Sequence, residues 1–330
     1  MRIAILGNGG FGTAMAIAYE RAGHAVSLWG HDPVYTAEIA ASRENPRYLD
    51  GARLPGSIRV THDAIAVLDR CDVVLVAVPS QHVRGVLGGV AAHVPADVPV
   101  VSLAKGLEQQ TASRPSEVIA QVLGSASRVF VLSGPSHAEE IARELPTTVV
   151  LAGTDDATVQ RLQTMLSTRT FRVYRNRDVL GLELCGALKN VMSLAAGIGD
   201  GLGYGDNTKA AILSRGIVEM TRFGTAFGAD PRTFVGLGGI GDLAVTMFSR
   251  HGRNRAFGER IGRGETMAQA LAASPKIAEG VATSRVVSDQ ARQRGIDMPI
   301  ASAVTRVLFD GLSPQIAVKE LMERDPKAEA

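Results

Sequence analysis

The feature that most constrains the fold is a glycine-rich loop, Gly7–Gly12, placed between a short apolar run and a helical pattern. The loop reads Gly-Asn-Gly-Gly-Phe-Gly, and a second strand-like run follows the helix. In such a unit Gly7 permits the tight turn, Gly9 lets the backbone approach a pyrophosphate, and Gly12 allows close packing of helix on strand. Glycine makes up 36 of the 330 residues, so the spacing alone is weak evidence. Its context favours a dinucleotide-binding unit over an ordinary glycine-rich turn.

Short apolar runs alternate with helical patterns through the first half of the chain, and strand-like runs disappear after about residue 178. Near-continuous apolar runs are typical of parallel strands that helices cover on both faces. We therefore predict an α/β Rossmann-type doubly wound domain over residues 1–178, followed by an all-α domain over residues 179–330. The predicted strands are Arg2–Leu6, Ala25–Trp29, Val73–Val78, Pro99–Leu103, Val129–Leu132, Thr147–Leu151 and Phe171–Tyr174.

Composition excludes several classes of partner. The net charge of +2 gives no global field for nucleic acid or a membrane surface, although residues 250–263 are locally rich in arginine. Cys71 and Cys185 belong to no CxxC or Cys/His cluster, so we expect two buried thiols and neither a disulfide nor a metal site. We see no signal peptide, and apolar runs such as Val73–Val78 are too short to span a bilayer. The expected location is the cytoplasm.

The end of the second strand bears on the choice of cofactor. A carboxylate at this point accepts the ribose hydroxyl of NAD, but the aligned residue is Gly30, followed by His31 and Asp32. The acid is missing or displaced, and His31 could approach a 2′-phosphate or be a solvated loop histidine. We predict NADP or NAD as cofactor, and we expect Gly30→Asp to shift the preference towards NADH.

Lys189 stands in a helical segment, residues 181–196, that is apolar almost all round and should therefore be buried. Small residues surround it at helical spacing, which leaves room for a groove. A lysine in a dry groove is a candidate acid/base, because burial lowers the pKa of an amine. Alternatively, the small residues serve close helix packing while Lys189 extends outwards to solvent. The small neighbours are Gly186, Ser193, Ala196 and Gly197.

Further clusters could bind a small anionic molecule. Asp242 ends a glycine-rich stretch, and residues 249–255 bring three arginines and Asn254 to the start of a helix. A helix start of this kind suits a phosphate or carboxylate, although a solvated basic turn is the default for such a cluster alone. Lys105 and the segment 133–138 follow apolar strands, and ligands of open α/β sheets bind at such strand ends. Each could also be an ordinary turn.

Eight blocks in one order resemble the NAD(P)-dependent glycerol-3-phosphate dehydrogenases of the bacterial type over nearly the whole chain. The resemblance implies an enzyme that reversibly transfers a hydride between NAD(P)H and C2 of dihydroxyacetone phosphate. The product is sn-glycerol 3-phosphate, which feeds glycerophospholipid synthesis. The blocks are GNGGFGTAMA (7–16), LWGHDP (28–33), SLAKGLE (102–108), LSGPSHAEE (132–140), ELCGALKNVMSLAAG (183–197), NTKAAILSRGIVEM (207–220), GLGGIGDL (236–243) and GRN with AEGV (252–254 and 278–281).

The resemblance also assigns roles to individual residues. Lys189 matches the acid/base that protonates the developing alkoxide. Lys105 matches a residue that reaches both substrate and cofactor, and Asp242 matches an acid that orients the substrate. Substrate contacts are predicted at Lys105, Gly134, Ser136, Lys189, Asp242, Gly252, Arg253 and Asn254. Cofactor contacts are predicted at Gly7, Gly9, Gly10, Phe11, Gly12, His31, Lys105, Ala138, Arg253, Ile277 and Glu279.

The chain departs from the family pattern at three places, which concern phosphate binding and affinity. Gly252 stands where serine is common, Phe11 stands where tryptophan is common, and 247–249 read Met-Phe-Ser instead of a Cys-Ser-Ser-like stretch. One alternative is another two-domain dehydrogenase of the β-hydroxyacid or ketopantoate reductase type. Another is a non-catalytic dinucleotide sensor. The expected partner is a small phosphorylated substrate, and the sequence allows a homodimer.

Overall fold

The computed structural model describes residues 1–249, 252–273, 278–326 and 328. The chain divides into two compact units, Met1–Glu183 and Leu184–Ala330. Every residue of the first unit is described. It contains ten strands, which are β1 (Arg2–Leu6), β2 (Ala25–Trp29), β3 (Glu44–Asn45), β4 (Leu49–Arg53), β5 (Arg59–Thr61), β6 (Val73–Val76), β7 (Val100–Ser102), β8 (Val129–Ser133), β9 (Thr147–Ala152) and β10 (Phe171–Asn176).

Eight of these strands form one sheet, in the order β10-β9-β8-β7-β6-β1-β2-β5. Neighbouring strands are parallel except β8 and β9, so β9 and β10 run against the other six. The prediction of a doubly wound α/β domain is confirmed, and all seven predicted strands are present. β5 and the β3–β4 hairpin were not predicted, because these strands are short and largely exposed and lack an apolar run.

Helices cover both faces of this sheet. Along β1, Ile3 and Ile5 join one buried apolar cluster, whereas Ala4 and Leu6 join a second cluster on the opposite face. Burial on both faces explains why the central strands are continuous apolar runs. The helices are α1 (Gly10–Arg21), α2 (Pro33–Ser42), α3 (Ala64–Leu68), α4 (Val83–Gly88), α5 (Pro115–Leu123), α6 (Ala138–Ala142) and α7 (Asp156–Leu166).

The second unit is helical over its described residues, which confirms the predicted fold class of the second half. Helix α8 (Val179–Gly201), which begins in the last residues of the first unit, is long and apolar enough to cross a membrane by length and composition, but most of it is buried inside the protein, as in a core helix. The expectation that every apolar run is too short to span a bilayer is therefore wrong for α8. The other helices are α9 (Asp206–Ala226), α10 (Pro231–Phe234), α11 (Asp242–Phe248), α12 (Arg253–Gly262), α13 (Met267–Ala272), α14 (Glu279–Gln293), α15 (Pro299–Phe309) and α16 (Pro314–Met322).

Glycines bring the backbones of α8 and α12 into contact. A Cβ placed on Gly197 would lie 2.0 Å from the carbonyl oxygen of Arg255, and one on Gly258 would lie 2.3 Å from that of Leu194. No side chain fits at either position without displacing backbone. The small residues near this end of α8 therefore serve close helix packing, and the backbone of α12 fills the space that the sequence analysis assigned to a groove at Gly197.

Candidate active site

The glycine-rich loop joins β1 to α1 in a compact turn. Gly7 has φ of +125°, and a Cβ on Gly12 would lie 1.9 Å from the carbonyl oxygen of Gly7. At Gly9, by contrast, a Cβ would meet nothing within 4 Å. No side chain caps the first N–H groups of α1, which follow Gly9 directly. The loop thus combines tight internal packing with an open approach to a helix N-terminus, and this arrangement fits a pyrophosphate group.

One further predicted cofactor residue, Ala138, lies against this loop. A Cβ on Gly10 would lie 3.8 Å from the Cβ of Ala138 and 2.7 Å from the carbonyl oxygen of Tyr48. Phe11 and Ala138 are partly buried and pack against the same apolar cluster. The structure therefore brings Ala138, which is distant in the sequence, to the part of the loop that contains Gly10 and Phe11.

The end of β2 does not match the sequence expectation. A Cβ on Gly30 would lie 2.0 Å from Nδ2 of Asn8 and 2.2 Å from Oγ1 of Thr36, so an aspartate cannot fit there without displacing this pair. The substitution Gly30→Asp therefore requires the side chains of Asn8 and Thr36 to move, and the expected shift towards NADH stays a prediction. Asp32 caps α2, because its Oδ1 accepts two backbone N–H groups at 3.0 Å. His31 is exposed at the strand end.

Three residues predicted to contact substrate meet at the carboxyl ends of β7 and β8. The Nζ of Lys105 donates a hydrogen bond to the carbonyl oxygen of Gly134 at 2.9 Å, and Oγ of Ser136 donates to the same oxygen at 2.8 Å. The side chain of Gln81, which the sequence analysis missed, bonds to two backbone groups of the segment 107–109 at 2.6 and 2.9 Å. Gln81 therefore holds the loop that carries Lys105.

Lys189 lies inside the helical unit with only 6% of the residue exposed. Its Nζ donates to Oδ1 of Asp242 at 2.6 Å and to Oγ1 of Thr246 at 2.8 Å. Asp242 is 1% exposed, so the ammonium and the carboxylate compensate each other's charge in a buried position. The alternative in which Lys189 extends outwards to solvent is wrong.

Thr246, which was not predicted as a site residue, helps to fix the position of the Lys189 Nζ. Its hydroxyl donates to the carbonyl oxygen of Asp242 at 2.6 Å. Because a hydroxyl has one proton, Oγ1 can only accept from the Nζ of Lys189. Asp242 and Thr246 stand four residues apart on α11, a spacing that places both on one helix face and could have identified the threonine.

The predicted phosphate site lies at the start of α12. Arg253 is its first residue and is exposed, whereas Gly252 and Asn254 are buried. The Oδ1 of Asn254 accepts the backbone N–H of Gly280 at 3.0 Å, which places Asn254 beside Glu279 in the first turn of α14. Asn254 and the predicted cofactor contact Glu279 therefore belong to one cluster. The other predicted cofactor contact in this region, Ile277, lies outside the described residues.

Close packing accompanies the departure from the family pattern at Gly252. A Cβ at this position would lie 2.7 Å from the carbonyl oxygen of Thr246, so only the backbone can face a ligand here without some shift. Arg255 is partly buried, and its Nε bonds to Oδ2 of Asp200 at 2.6 Å. Lys209 also pairs with Asp200, at 2.7 Å. Arg255 thus connects helices rather than offering its charge to a ligand.

Two buried carboxyls that the sequence analysis missed hold helix N-termini. Glu183 accepts from Arg114 and from the backbone and hydroxyl of Ser116 at the start of α5. Burial raises the pKa of Glu183, and the nearby Arg114 opposes this shift. Glu219 accepts the N–H groups of residues 300 and 301 at 2.8 and 3.2 Å, and burial raises its pKa to about 7. Both carboxyls act in helix packing.

Among the described residues, no group of three or more His, Cys, Asp or Glu side chains is placed to hold a metal ion. Both cysteines are buried, and burial raises the pKa of the Cys71 thiol to about 11. The first unit contributes Lys105 and the hydroxyl of Ser136, and the second unit contributes Lys189, Asp242, Thr246 and the exposed Arg253.

Fold and site together define a class, the two-domain dehydrogenases that join a dinucleotide-binding sheet to a helical domain. A ketopantoate reductase from Ralstonia eutropha shares this fold, with a TM-score of 0.63, 16% sequence identity, and coverage of 98% of this chain and 100% of that chain. At this identity the likeness shows the fold alone.

The chain is much more similar in sequence to one family of dehydrogenases. Family models described as NAD-dependent glycerol-3-phosphate dehydrogenase N-terminus and C-terminus match residues 2–159 and 178–319. The chain belongs to the NAD-dependent glycerol-3-phosphate dehydrogenase family. It is 46% identical to a glycerol-3-phosphate dehydrogenase [NAD(P)+] of Chlorobium limicola over 336 aligned residues, which cover 100% of this chain and 99% of the relative. A crystal structure of a glycerol-3-phosphate dehydrogenase from Coxiella burnetii has a TM-score of 0.93 and 38% identity, and covers 98% of this chain and 99% of that chain.

Proposed function

We propose that the protein is an NAD(P)-dependent glycerol-3-phosphate dehydrogenase that interconverts dihydroxyacetone phosphate and sn-glycerol 3-phosphate and feeds glycerophospholipid synthesis. The observation that carries this proposal is the buried cluster of Lys189, Asp242 and Thr246, in a chain whose full-length relatives are named for this reaction. Residues 1–178 would bind the dinucleotide, and residues 179–330 would bind the substrate and supply the proton.

The cofactor contacts follow from the open side of the glycine-rich loop. The backbone of Gly9, Gly10 and Phe11 would hold the pyrophosphate at the N-terminus of α1. NAD(P)H, when bound, supplies the hydride for C2 of the substrate. His31 at the end of β2 and Ala138 beside the loop would complete the dinucleotide site.

Lys189 would donate a proton to the oxygen on C2 as that oxygen gains negative charge, and would take it back in the reverse direction. Asp242 and Thr246 each accept one N–H of the ammonium, so the direction of Nζ is set before substrate binds. This preorganisation avoids the cost of reorienting the lysine during the reaction. Asp242 therefore acts mainly by positioning and charge compensation.

The substrate phosphate would bind at the start of α12. The Oδ1 of Asn254 accepts from Gly280, which leaves the Nδ2 amide as a donor for an anion. Arg253 adds an exposed guanidinium at the N-terminus of α12. Lys105, with Gly134 and Ser136, forms a second polar cluster that would contact the carbonyl end of the substrate.

The proposal is tested by initial rates with dihydroxyacetone phosphate and NADH or NADPH in parallel. Turnover on dihydroxyacetone phosphate, with little on unphosphorylated dihydroxyacetone, is expected. Preferential reduction of ketopantoate would favour the alternative dehydrogenase, and tight NADPH binding without turnover of any small carbonyl would favour a sensor. We also propose a cytoplasmic location, which suits an enzyme with two buried thiols. A homodimer is the assembly to test by analytical ultracentrifugation.

A further inference from the structure

The β3–β4 hairpin is attached to the glycine-rich loop. The Nδ2 of Asn45, a buried side chain in β3, donates to the carbonyl oxygen of Asn8 and to Oγ1 of Thr13, both at 2.8 Å. Asn8 belongs to the loop and Thr13 to the first turn of α1. The turn of the hairpin, which contains Arg47, is therefore held in a fixed relation to the predicted pyrophosphate site.

Tyr35 fixes the position of Arg47 within this turn. Its hydroxyl donates to Oδ1 of Asn45 at 2.6 Å and accepts the backbone N–H of Arg47 at 3.0 Å. The guanidinium of Arg47 stacks on the ring of Tyr35, with Cζ 3.9 Å from the ring centroid. Stacking holds the planar guanidinium fork in one orientation. The side chain of Arg47 is nevertheless 46% exposed, so the fork can reach a ligand.

The guanidinium lies beside the end of β2. Its NH1 is 3.8 Å from Oδ2 of Asp32, which is the third residue after the end of β2, following Gly30 and His31. This distance is too long for a hydrogen bond, so the pair does not consume the donors of Arg47. The other carboxylate oxygen of Asp32 is engaged in capping α2. In this fold the end of the second strand is where the adenosine ribose binds, and an arginine there accommodates a 2′-phosphate.

From this geometry, and resting on the proposed function, we infer that Arg47 recognises the adenosine 2′-phosphate of NADPH and that Asp32 opposes it. An arginine fork can bind a phosphate through two parallel hydrogen bonds. Asp32 partly neutralises the guanidinium and repels a 2′-phosphate. The balance between these two side chains then sets the preference between NADPH and NADH, with His31 as a neighbouring contact.

The inference is tested by calorimetric titration with adenosine 2′,5′-bisphosphate and with 5′-AMP, which differ only in the 2′-phosphate. Arg47→Gln is expected to weaken binding of the bisphosphate by about 10- to 100-fold and to leave binding of 5′-AMP within about twofold. Arg53→Gln is the matched control, because Arg53 is exposed on β4 of the same hairpin and loses the same charge. It is expected to change neither affinity.

A second variant tests the opposing role of the carboxylate. Asp32→Asn keeps a side-chain oxygen to cap α2 and is expected to strengthen bisphosphate binding several-fold, because the repulsion is removed. The inference is overturned if Arg47→Gln weakens the affinity for both nucleotides equally, or if Arg53→Gln weakens bisphosphate binding as much as Arg47→Gln does. It is also overturned if the wild-type protein shows no preference for the bisphosphate. These titrations contain no substrate. Failure of the proposed reaction would instead show as absent turnover of dihydroxyacetone phosphate by a protein that still discriminates between the two nucleotides.

Discussion

The buried pair of Lys189 and Asp242 predicts that stability and catalysis can be separated by mutation. The two groups are 6% and 1% exposed and meet at 2.6 Å. Lys189→Met leaves a buried carboxylate without its ammonium, a change that costs about 3–5 kcal/mol. For a unit of this size the unfolding midpoint should fall by on the order of 10 °C. Asp242→Asn leaves the ammonium buried without its carboxylate and should have a similar cost.

The double variant Lys189→Met/Asp242→Asn contains neither buried charge. Its unfolding midpoint should therefore lie above those of both single variants and close to the wild-type value. Its kcat should remain about a hundredfold to ten-thousandfold below wild type, because the proton donor is still missing. NADPH binding should be retained, since the glycine-rich loop is unchanged.

The assays are thermal unfolding followed by circular dichroism and steady-state rates on dihydroxyacetone phosphate with NADPH. If the two single losses of stability add in the double variant, the side chains do not compensate each other and the charge argument is refuted. If either variant that lacks Lys189 turns over near the wild-type rate, the lysine is not the acid/base.

Three further predictions follow from the same structure. Arg253→Ala should raise KM for dihydroxyacetone phosphate and lower kcat/KM by about a hundredfold, with the low rate on unphosphorylated dihydroxyacetone unchanged. An equal loss of activity on both substrates would show that the arginine does not bind phosphate. Because burial raises the pKa of Glu219 from 4.5 to about 7, its ionisation opposes folding as the pH rises through this window, by up to about 3 kcal/mol. The unfolding midpoint of Glu219→Gln should therefore rise relative to wild type between pH 5 and pH 8, and a constant difference would contradict this. Gly9→Ala has open space at its Cβ, so it should weaken NADPH binding at least about tenfold with little change in the unfolding midpoint. Gly12→Ala, whose Cβ would lie 1.9 Å from a carbonyl oxygen, should instead lower the unfolding midpoint. The same response in both variants would refute the distinction.

Features that depend on local spacing can be predicted from the amino-acid sequence. The positions of Gly7, Gly9 and Gly12 predict a turn, an open approach and a close contact, and each arises within a few residues of the chain. Continuous apolar runs predict buried strands because both faces of the sheet are covered. Lys189 could be singled out because one charge in an apolar helix needs a partner.

Contacts between side chains that are distant in the sequence depend on how the elements pack in three dimensions. The partners of Lys189 stand more than 50 residues away on α11, so no local pattern shows whether the lysine is paired or extends to solvent. Gly30 matches the acid position by alignment, but side chains from α2 and the glycine-rich loop fill the space that an aspartate would need. Arg47 stands in an exposed turn with no sequence signal, and only the hydrogen bonds of Asn45 and Tyr35 bring it to the end of β2. Periodicity reports which face of an element is buried, whereas packing between elements decides what that face contacts.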